Sequence, residues 1–223
     1  MKLFEPGMIG KLRLKNRIVM APMGTRLEEP DGRFSQQSID YYAARAKGGT
    51  GLIATGGFRV IRGSKVSTKP PGEPLIDDKI YVARVNALAE AVHDYGAKLS
   101  VQLHAGSGRN TENLEVRPAA PSEVPCFQNP AVMTREMTVE EIERLVQGFR
   151  LAAEVASDAG VDCLDVHGHK GGLLDQFMTA VWNRRTDKYG GDLGKRLRLA
   201  VEIIEAMKKG AGPDVPVVFR YGL

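Results

Sequence analysis

Residues 17–25 read Arg17-Ile18-Val19-Met20-Ala21-Pro22-Met23-Gly24-Thr25, a short apolar run that leads directly into a Pro-Met-Gly-Thr turn. An open, doubly wound sheet that binds a dinucleotide places a G-x-G-x-x-G pattern after its first strand. The turn after this first predicted strand has no such pattern. The stretch therefore counts against a doubly wound sheet and favours the other common arrangement of parallel strands and helices, a (β/α)8 barrel.

Four more short apolar runs follow along the chain, separated by longer stretches of helical periodicity. The five predicted strands are 17–21, 50–54, 98–103, 162–166 and 215–219. The predicted helices cover about 35–47 and apolar stripes at 82–92, 142–156 and 197–207, and Thr138 and Glu141 match a capping box before the third of them. Strands that alternate with helices imply right-handed βαβ units. Polar or glycine residues end each strand, as in a barrel whose active site is built there, so we predict an α/β protein with a (β/α)8 TIM barrel.

The number of strands sets the expected extent of this barrel. The chain has 223 residues, above the lower limit of roughly 200 for a complete barrel, but only five strands are identifiable. We therefore expect residues 1–223 to form the N-terminal portion of a single (β/α)8 barrel domain, truncated after about five βα units, with strands six to eight and any C-terminal domains absent. Such a portion exposes two sheet edges, so we expect self-association or a need for the missing part.

Composition and charge exclude several classes of protein. The 31 basic and 27 acidic side chains give a formal net charge of +4, and no basic run is present that could follow a nucleic-acid backbone. No stretch of about 18 apolar residues could cross a bilayer, and Glu5 and Pro6 interrupt the place where a signal peptide would continue. Cys126 and Cys163 match no metal or redox spacing and are expected to be packing residues. We therefore expect a cytoplasmic protein that binds neither nucleic acid nor membrane.

The first and third strand ends carry residue types that suit a flat ligand. Pro22, Met23, Gly24 and Thr25 combine a rigid turn with a residue that has no side chain, which lets backbone approach a ligand closely. Gln102 has an amide that both donates and accepts, which suits the edge of a heterocycle. In isolation, Gln102 is equally well explained as a satisfied polar residue inside the barrel.

Hydrogen-bond donors and cations collect at the fourth and fifth strands. His167, His169 and Lys170 follow the fourth strand, and Arg220 follows the fifth. Together they would stabilise an anion such as a reduced flavin or a developing enolate. The H-x-H pair has a second interpretation, because with Asp165 and His104 nearby it could bind zinc and make the protein a metal-dependent hydrolase.

These residues resemble a known family. The chain is similar from end to end to the N-terminal part of the Old Yellow Enzyme family of NADH:flavin oxidoreductases, which are FMN-dependent (β/α)8 barrels. It is most similar to the branch that contains 2,4-dienoyl-CoA reductase. The motifs are Leu-Lys-Asn-Arg-Ile-Val-Met-Ala-Pro-Met at 14–23, Val-Gln-Leu-His-Ala-Gly at 101–106, Met-Thr-Val-Glu-Glu-Ile at 137–142, Leu-Leu-Asp-Gln-Phe at 173–177 and Asn-Arg-Arg-Thr-Asp-Lys-Tyr-Gly-Gly at 183–191.

The resemblance implies an FMN-dependent oxidoreductase in which NAD(P)H drives hydride transfer to the C=C of an α,β-unsaturated carbonyl or carboxylate compound. By position, Pro22, Met23, Gly56 and Gln102 would contact the flavin, and Arg220 would favour its anionic reduced form. The resemblance to the 2,4-dienoyl-CoA reductase branch further implies an iron–sulfur cluster and an FAD in a C-terminal region that we expect to be missing.

The departures from the family pattern concern the substrate. His167 corresponds to the histidine that binds the substrate carbonyl or carboxylate, but Gly172 stands where many members have the tyrosine that protonates the α-carbon. Lys170 stands where they have Asn or His, and Gly24 where Thr or Cys often tunes the flavin potential. Lys170 or His169 could replace the lost donor, water could protonate the substrate, or the substrate could be something other than an activated alkene.

We favour the hypothesis that His167 and Lys170 hold an anionic or carbonyl group of a conjugated alkene. An alternative function that also uses a flavin is that of an amine oxidase or demethylase. The alternatives from other functional classes are the metal-dependent hydrolase and a noncatalytic fragment of a larger enzyme. Two segments have expected structural roles: 107–134 as a long loop over the mouth, and 183–191 as a fixed loop in which Asp187 pairs with Arg184 or Arg185.

Overall fold

The main sheet contains five parallel strands, and the computed structural model describes residues 2–61, 74–112 and 114–222. The strands are β1 (Val19–Met20), β2 (Leu52–Arg59), β3 (Lys98–His104), β4 (Cys163–Gly168) and β5 (Val217–Tyr221). Each strand pairs in parallel with the next one along the chain. A doubly wound sheet reverses its strand order at a switch point, whereas this order runs in one direction, as in a barrel. The prediction of consecutive βα units of a (β/α)8 barrel is confirmed.

The observed strands start within two residues of their predicted starts, but one of them ends much later. β2 continues to Arg59, beyond the predicted end at residue 54, because its register with β3 shifts between Ala54 and Gly57. An irregularity of this kind inserts extra residues and lets the pairing resume. Gly56 lies two residues beyond the predicted strand end at residue 54, and the structure corrects this by placing it inside β2.

The described residues contain five α-helices: α1 (Gln36–Lys47), α2 (Val82–His93), α3 (Val139–Asp158), α4 (Leu173–Met178) and α5 (Leu193–Ala211). The predicted capping box is present at α3, where Glu141 N–H donates to Thr138 Oγ at 3.2 Å and Thr138 N–H donates to a Glu141 carboxylate oxygen at 3.0 Å. α5 begins earlier than its predicted apolar stripe, because Asp192 caps it by accepting from Lys195 N–H. α4 was not predicted, since six residues are too few to show a helical period.

The two longest helices, α3 and α5, pack against each other and bury one apolar face each against the core. Phe149 on α3 and Ile203 and Met207 on α5 are fully buried. The helices approach so closely that a Cβ added at Gly210 would overlap the carbonyl oxygen of Arg150. Their contact therefore depends on a position without a side chain.

Two short strand pairs lie outside the main sheet. Gly7–Ile9 pairs antiparallel with Leu12–Leu14, and Ala119–Ala120 pairs in parallel with Arg135–Glu136. The second pair belongs to the predicted loop 107–134 and the residues directly after it. Within that loop, Thr134 Oγ accepts from Val124 N–H at 3.0 Å and donates to Ser122 O at 2.8 Å. The loop is therefore held by its own hydrogen bonds, apart from Asn113, which lies outside the described residues.

The 183–191 segment is organised around the buried side chain of Arg185. Its Nη2 donates to Asp187 Oδ2 at 2.6 Å, which confirms the predicted pairing of Asp187 with one of the two arginines. Its Nη1 donates to Pro121 O at 3.0 Å and to Met137 O at 2.7 Å. The guanidinium thus joins this segment to the 107–134 loop and to the residue before the α3 cap, which is a structural role.

Two expectations from composition can be compared with the structure. Cys126 and Cys163 are both buried and free, as expected of packing residues. Burial raises the pKa of the Cys163 thiol to about 11, so little thiolate forms near neutral pH. Among the helices described, none is both long enough and apolar enough to pass through a bilayer.

We expect Gly210→Ala to destabilise the protein and Gly194→Ala, on the same helix, to be nearly neutral. Alanine gains up to about 1 kcal/mol of helix propensity over glycine. At position 210, however, the new Cβ overlaps the backbone of α3, and overpacking costs about 1–3 kcal/mol. At Gly194 the nearest atom is a side-chain oxygen of Asp192, which can shift. Urea unfolding measures both variants, and equal free energies of unfolding would contradict the close helix contact.

Candidate functional site

The turn after β1 packs directly on β2 at the carboxyl end of the sheet. Gly56 leaves no room for a side chain, because a Cβ there would lie 2.8 Å from both Met23 O and Gly24 Cα. Gly24 itself faces open space, since a Cβ at this position would meet nothing within 4 Å. The turn therefore presents backbone and the exposed Met23 side chain, which is the arrangement that the predicted contact of Pro22 and Met23 with a flat ligand requires.

Tyr42 on α1 connects these two segments. Its buried hydroxyl accepts from Gly56 N–H at 3.1 Å and donates to Met23 O at 3.5 Å. Burial raises the pKa of Tyr42 to about 12, so the hydroxyl keeps its proton and can donate and accept together. Sequence analysis missed Tyr42, because a single tyrosine within a helix carries no functional signal.

Two predicted cofactor-binding residues, Gln102 and Arg220, meet at a buried carboxylate. Asp165 on β4 is 3% exposed and lies between them. It accepts from Gln102 Nε2 at 3.1 Å through Oδ1 and from Arg220 Nη2 at 3.2 Å through Oδ2. The strand register produces this contact, because Gln102 stands opposite Asp165 and Arg220 stands opposite His167.

The shared carboxylate determines which atoms of Gln102 and Arg220 can bind a ligand. One N–H of Gln102 Nε2 is engaged by Asp165, which leaves the amide oxygen and the second N–H for a ligand. Arg220 Nε is buried and has no hydrogen-bond partner among the described residues. An unsatisfied buried donor is costly, so this atom favours a ligand that brings an acceptor to it.

His167 and His169 form a stacked pair after β4. Their ring centroids are 4.3 Å apart and their planes differ by 26°. Burial lowers the pKa of His167 to about 4, and the neighbouring His169 and His104 contribute to the decrease. Burial and the charge of Arg220 also lower the pKa of His169. The positive charge in this part of the mouth therefore comes from Arg220 and Lys170, and the imidazoles are neutral hydrogen-bonding groups near pH 7.

The loop from β4 to α4 holds its backbone in the left-handed region at two positions. Lys170 has φ of 57° and Gly171 has φ of 66°, a conformation that costs a non-glycine residue about 1–2 kcal/mol. Asn110 Nδ2 donates to Gly171 O at 2.9 Å and to Lys170 O at 3.3 Å, and Gly171 N–H donates to Asp175 Oδ2 at 2.7 Å. These bonds fix the loop backbone, so the exposed side chain of Lys170 starts from a defined position.

Gly172 lies against the imidazole of His167. A Cβ at Gly172 would be 3.5 Å from His167 Nδ1 and 3.3 Å from His169 O. Position 172 is therefore adjacent to the histidine, as the resemblance implies for the missing tyrosine. Without a side chain there, the imidazole is uncovered on this side.

The structure bears on two further interpretations of the sequence, namely Thr25 as a cofactor-binding residue and the H-x-H pair as a zinc site. Thr25 Oγ donates to Glu28 Oε1 at 2.6 Å, so this hydroxyl is engaged within its own loop. The rings of His167 and His169 lie face to face, whereas two ligands of one zinc ion direct their nitrogens at a common centre. Within the described ranges, no group of three or more His, Cys, Asp or Glu side chains could hold a metal ion.

Comparison with known proteins gives consistent results. The sequence profile of the NADH:flavin oxidoreductase / NADH oxidase family matches residues 2–222. The chain is 43% identical over 99% of its length to cinnamate reductase from Clostridium sporogenes, and 44% identical over 98% to NADH oxidase from Thermoanaerobacter brockii. It covers 34% of each, about a third of these relatives' length. The crystal structure of Old Yellow Enzyme from Pichia sp. AKU4542 superposes on 99% of this chain and 59% of its own, with a TM-score of 0.86 and 30% identity.

We expect acid to destabilise the protein in part through His167. The pKa of this histidine changes from 6.5 in the unfolded chain to about 4 in the fold, so the unfolded chain binds the proton more readily between these values. The stability that the neutral imidazole contributes is complete above about pH 6.5 and is lost as the pH falls toward 4. His167→Gln should remove up to about 3 kcal/mol of this pH dependence. Urea unfolding between pH 7 and 4 measures it, and identical dependence of the free energy of unfolding on pH for the two proteins would contradict a half-buried, neutral His167.

Proposed function

The chain belongs to the NADH:flavin oxidoreductase / NADH oxidase family, and from this premise we propose that the whole protein is an FMN-dependent ene-reductase. In this proposal NAD(P)H is the reductant, and hydride is transferred to the C=C of an α,β-unsaturated carbonyl or carboxylate compound. The observation that carries the proposal is the cluster of Gln102, Asp165 and Arg220, in which a buried carboxylate holds an amide and a guanidinium together. The similarity to cinnamate reductase over 99% of the chain supports the same substrate class.

The residues at the strand ends fit FMN by their chemistry. The turn of Pro22 to Gly24 and the adjacent Gly56 expose backbone without branching side chains, which suits a flat ring system. The Gln102 amide oxygen can accept from a ring N–H, and Arg220 Nε, buried and without a partner among the described residues, can donate to a ring acceptor. FMN bound here would accept hydride from NAD(P)H and pass it to the substrate.

The side chains of this chain would bind and polarise the substrate. Arg220 places a positive charge at the strand ends, where it favours the development of negative charge. His167 is neutral near pH 7 and can donate a hydrogen bond to a carbonyl or carboxylate oxygen. Lys170 is exposed on a fixed backbone and provides a compact charge for an anionic group. Withdrawal of electron density toward that oxygen would make the conjugated carbon more receptive to hydride.

Reduction of the C=C also requires a proton at the α-carbon, and Gly172 has no side chain that could supply it. No side chain at this position can protonate the α-carbon, although the site adjoins His167. His169 stacks on His167, and the exposed Lys170 shows that solvent reaches this loop. We therefore propose that Lys170 is an anchor and that the proton comes from water, because His169 is already neutral near pH 7.

A flavin-dependent amine oxidase or demethylase is the second candidate, and Gly172 is the observation that favours it. Oxidation of an amine removes hydride from the substrate and needs no proton delivered to carbon. The assignment to the 2,4-dienoyl-CoA reductase branch, the iron–sulfur cluster and FAD, the cytoplasmic location, the self-association and the domain boundaries stay predictions from the sequence.

Visible absorbance of the purified protein tests the proposal and separates these candidates. We expect bound flavin whose absorbance is bleached by NAD(P)H under anaerobic conditions and restored by an enoate such as cinnamate. Bleaching by a methylated amine without NAD(P)H would support the amine oxidase instead. A colourless protein that retains zinc would contradict both flavin functions.

We expect Lys170→Met to raise the KM for a carboxylate enoate about tenfold, because a hydrogen bond to a charged group contributes about 1.5–3 kcal/mol. The KM for an uncharged enone should change less, since it offers no anion to the ammonium. Lys208→Met, at an exposed position near the end of α5, removes the same charge away from the mouth and serves as the control. Unchanged kinetics of Lys170→Met with both substrates would rule out the anchor role.

A further inference from the structure

We propose that Asp165 is a positioning residue that orients Gln102 and Arg220 for FMN, an inference that rests on the proposed function. Sequence analysis considered this residue only as a possible partner of zinc. In the structure its two carboxylate oxygens are used separately, one by Gln102 Nε2 at 3.1 Å and the other by Arg220 Nη2 at 3.2 Å. A single side chain of β4 thus controls one side chain from each neighbouring strand.

The contact with Gln102 decides which end of its amide faces a ligand. An amide can be turned by half a rotation to exchange its donor and acceptor ends. Asp165 offers only acceptor atoms when ionised, so it selects the orientation in which Nε2 faces the carboxylate and Oε1 faces away. The Gln102 amide oxygen is therefore turned away from Asp165 and can accept from an N–H on the edge of a ligand.

The contact with Arg220 restricts a side chain that is otherwise long and partly solvated. The Arg220 side chain is 37% exposed, whereas that of Asp165 is 4% exposed. Nη2 is held by the carboxylate, and Nε of the same planar group is buried without a partner among the described residues. Because the guanidinium is rigid, fixing Nη2 also fixes the direction of Nε.

Burial of Asp165 is costly, which argues for a specific role at this position. Its neighbours on β4, Leu164 and Val166, are fully buried apolar residues. A carboxylate removed from water requires partners at both oxygens, and replacing a buried ion pair by apolar residues is often neutral or stabilising. An apolar residue at position 165 could pack in the core, but it could not accept the hydrogen bonds from Gln102 and Arg220.

The test compares Asp165→Asn with Asp162→Asn in the complete natural protein. Asparagine is nearly isosteric with aspartate, but its NH2 group would face one of two donors, so one contact is lost. We expect the Kd for FMN to increase about tenfold or more for Asp165→Asn. Asp162 lies directly before the same strand and bonds His93 and Lys98 instead, so Asp162→Asn reports a general loss of stability. It should change the Kd less than about threefold.

A double-mutant cycle shows whether Asp165 acts through its partners. In the background of Arg220→Gln, the effect of Asp165→Asn on the FMN Kd should decrease, because one of the two positioned groups is already changed. Fully additive effects would overturn the proposal, since they would mean that Asp165 acts independently of Arg220.

Asp165→Glu is a second variant, for use if Asp165→Asn does not fold. Its readout is the midpoint potential of the bound flavin, which a loss of stability alone would not change. It keeps the negative charge but shifts the carboxylate, so Arg220 is displaced without a change in net charge. We expect a more negative midpoint potential of the bound flavin, by about 30 mV for a tenfold change in the ratio of the Kd values for oxidised and reduced FMN. Wild-type protein without affinity for FMN would overturn the proposed function. FMN binding that is normal in wild type and in both Asp165 variants would overturn only the positioning role.

Discussion

The parallel register of β3, β4 and β5 is the constraint on which the candidate site depends. It places Gln102 opposite Asp165 and His167 opposite Arg220. Gln102 and Arg220 come close to the same carboxylate although 118 positions separate them in the chain. Side chains two residues apart on a strand point to the same face, so Asp165 and His167 share one side of β4. A slip of one residue would turn Asp165 into the helix layer and separate Gln102 from Arg220.

Electrostatics give the members of this site different tasks. Asp165 is buried and accepts hydrogen bonds from the Gln102 amide and the Arg220 guanidinium, whereas His167 stays uncharged near pH 7 because burial lowers its pKa to about 4. The cations are Arg220, held at the sheet, and Lys170, exposed on a loop whose backbone other groups fix. In the proposed function, Arg220 is the charge for the cofactor and Lys170 is the charge for the substrate, and His167 adds no charge near pH 7.

Sequence reasoning identified the barrel units and most of the polar strand ends, because both follow from local patterns. The alternation of apolar runs with helical stripes predicts the five strands, and the Thr138 and Glu141 pair predicts the start of α3. It did not identify Tyr42 or the contact of Asp165 with Gln102, since these depend on neighbours distant in the chain. A lone acidic residue within the apolar β4 run was the one signal that could have drawn attention to Asp165. The irregularity that places Gly56 inside β2 has no local signature, because it arises from pairing with β3.

The sequence by itself determined the class of fold, the family and the list of chemical groups at the strand ends, because composition, period and motif are properties of local residue order. Only the tertiary structure decided how those groups are used. It showed that the Gln102 amide is oriented, that the two histidines are stacked and that Gly56 packs under the turn. The physical reason is that pKa values, hydrogen-bond partners and close backbone contacts depend on burial and on distances between strands, which are set only when the sheet has formed its register.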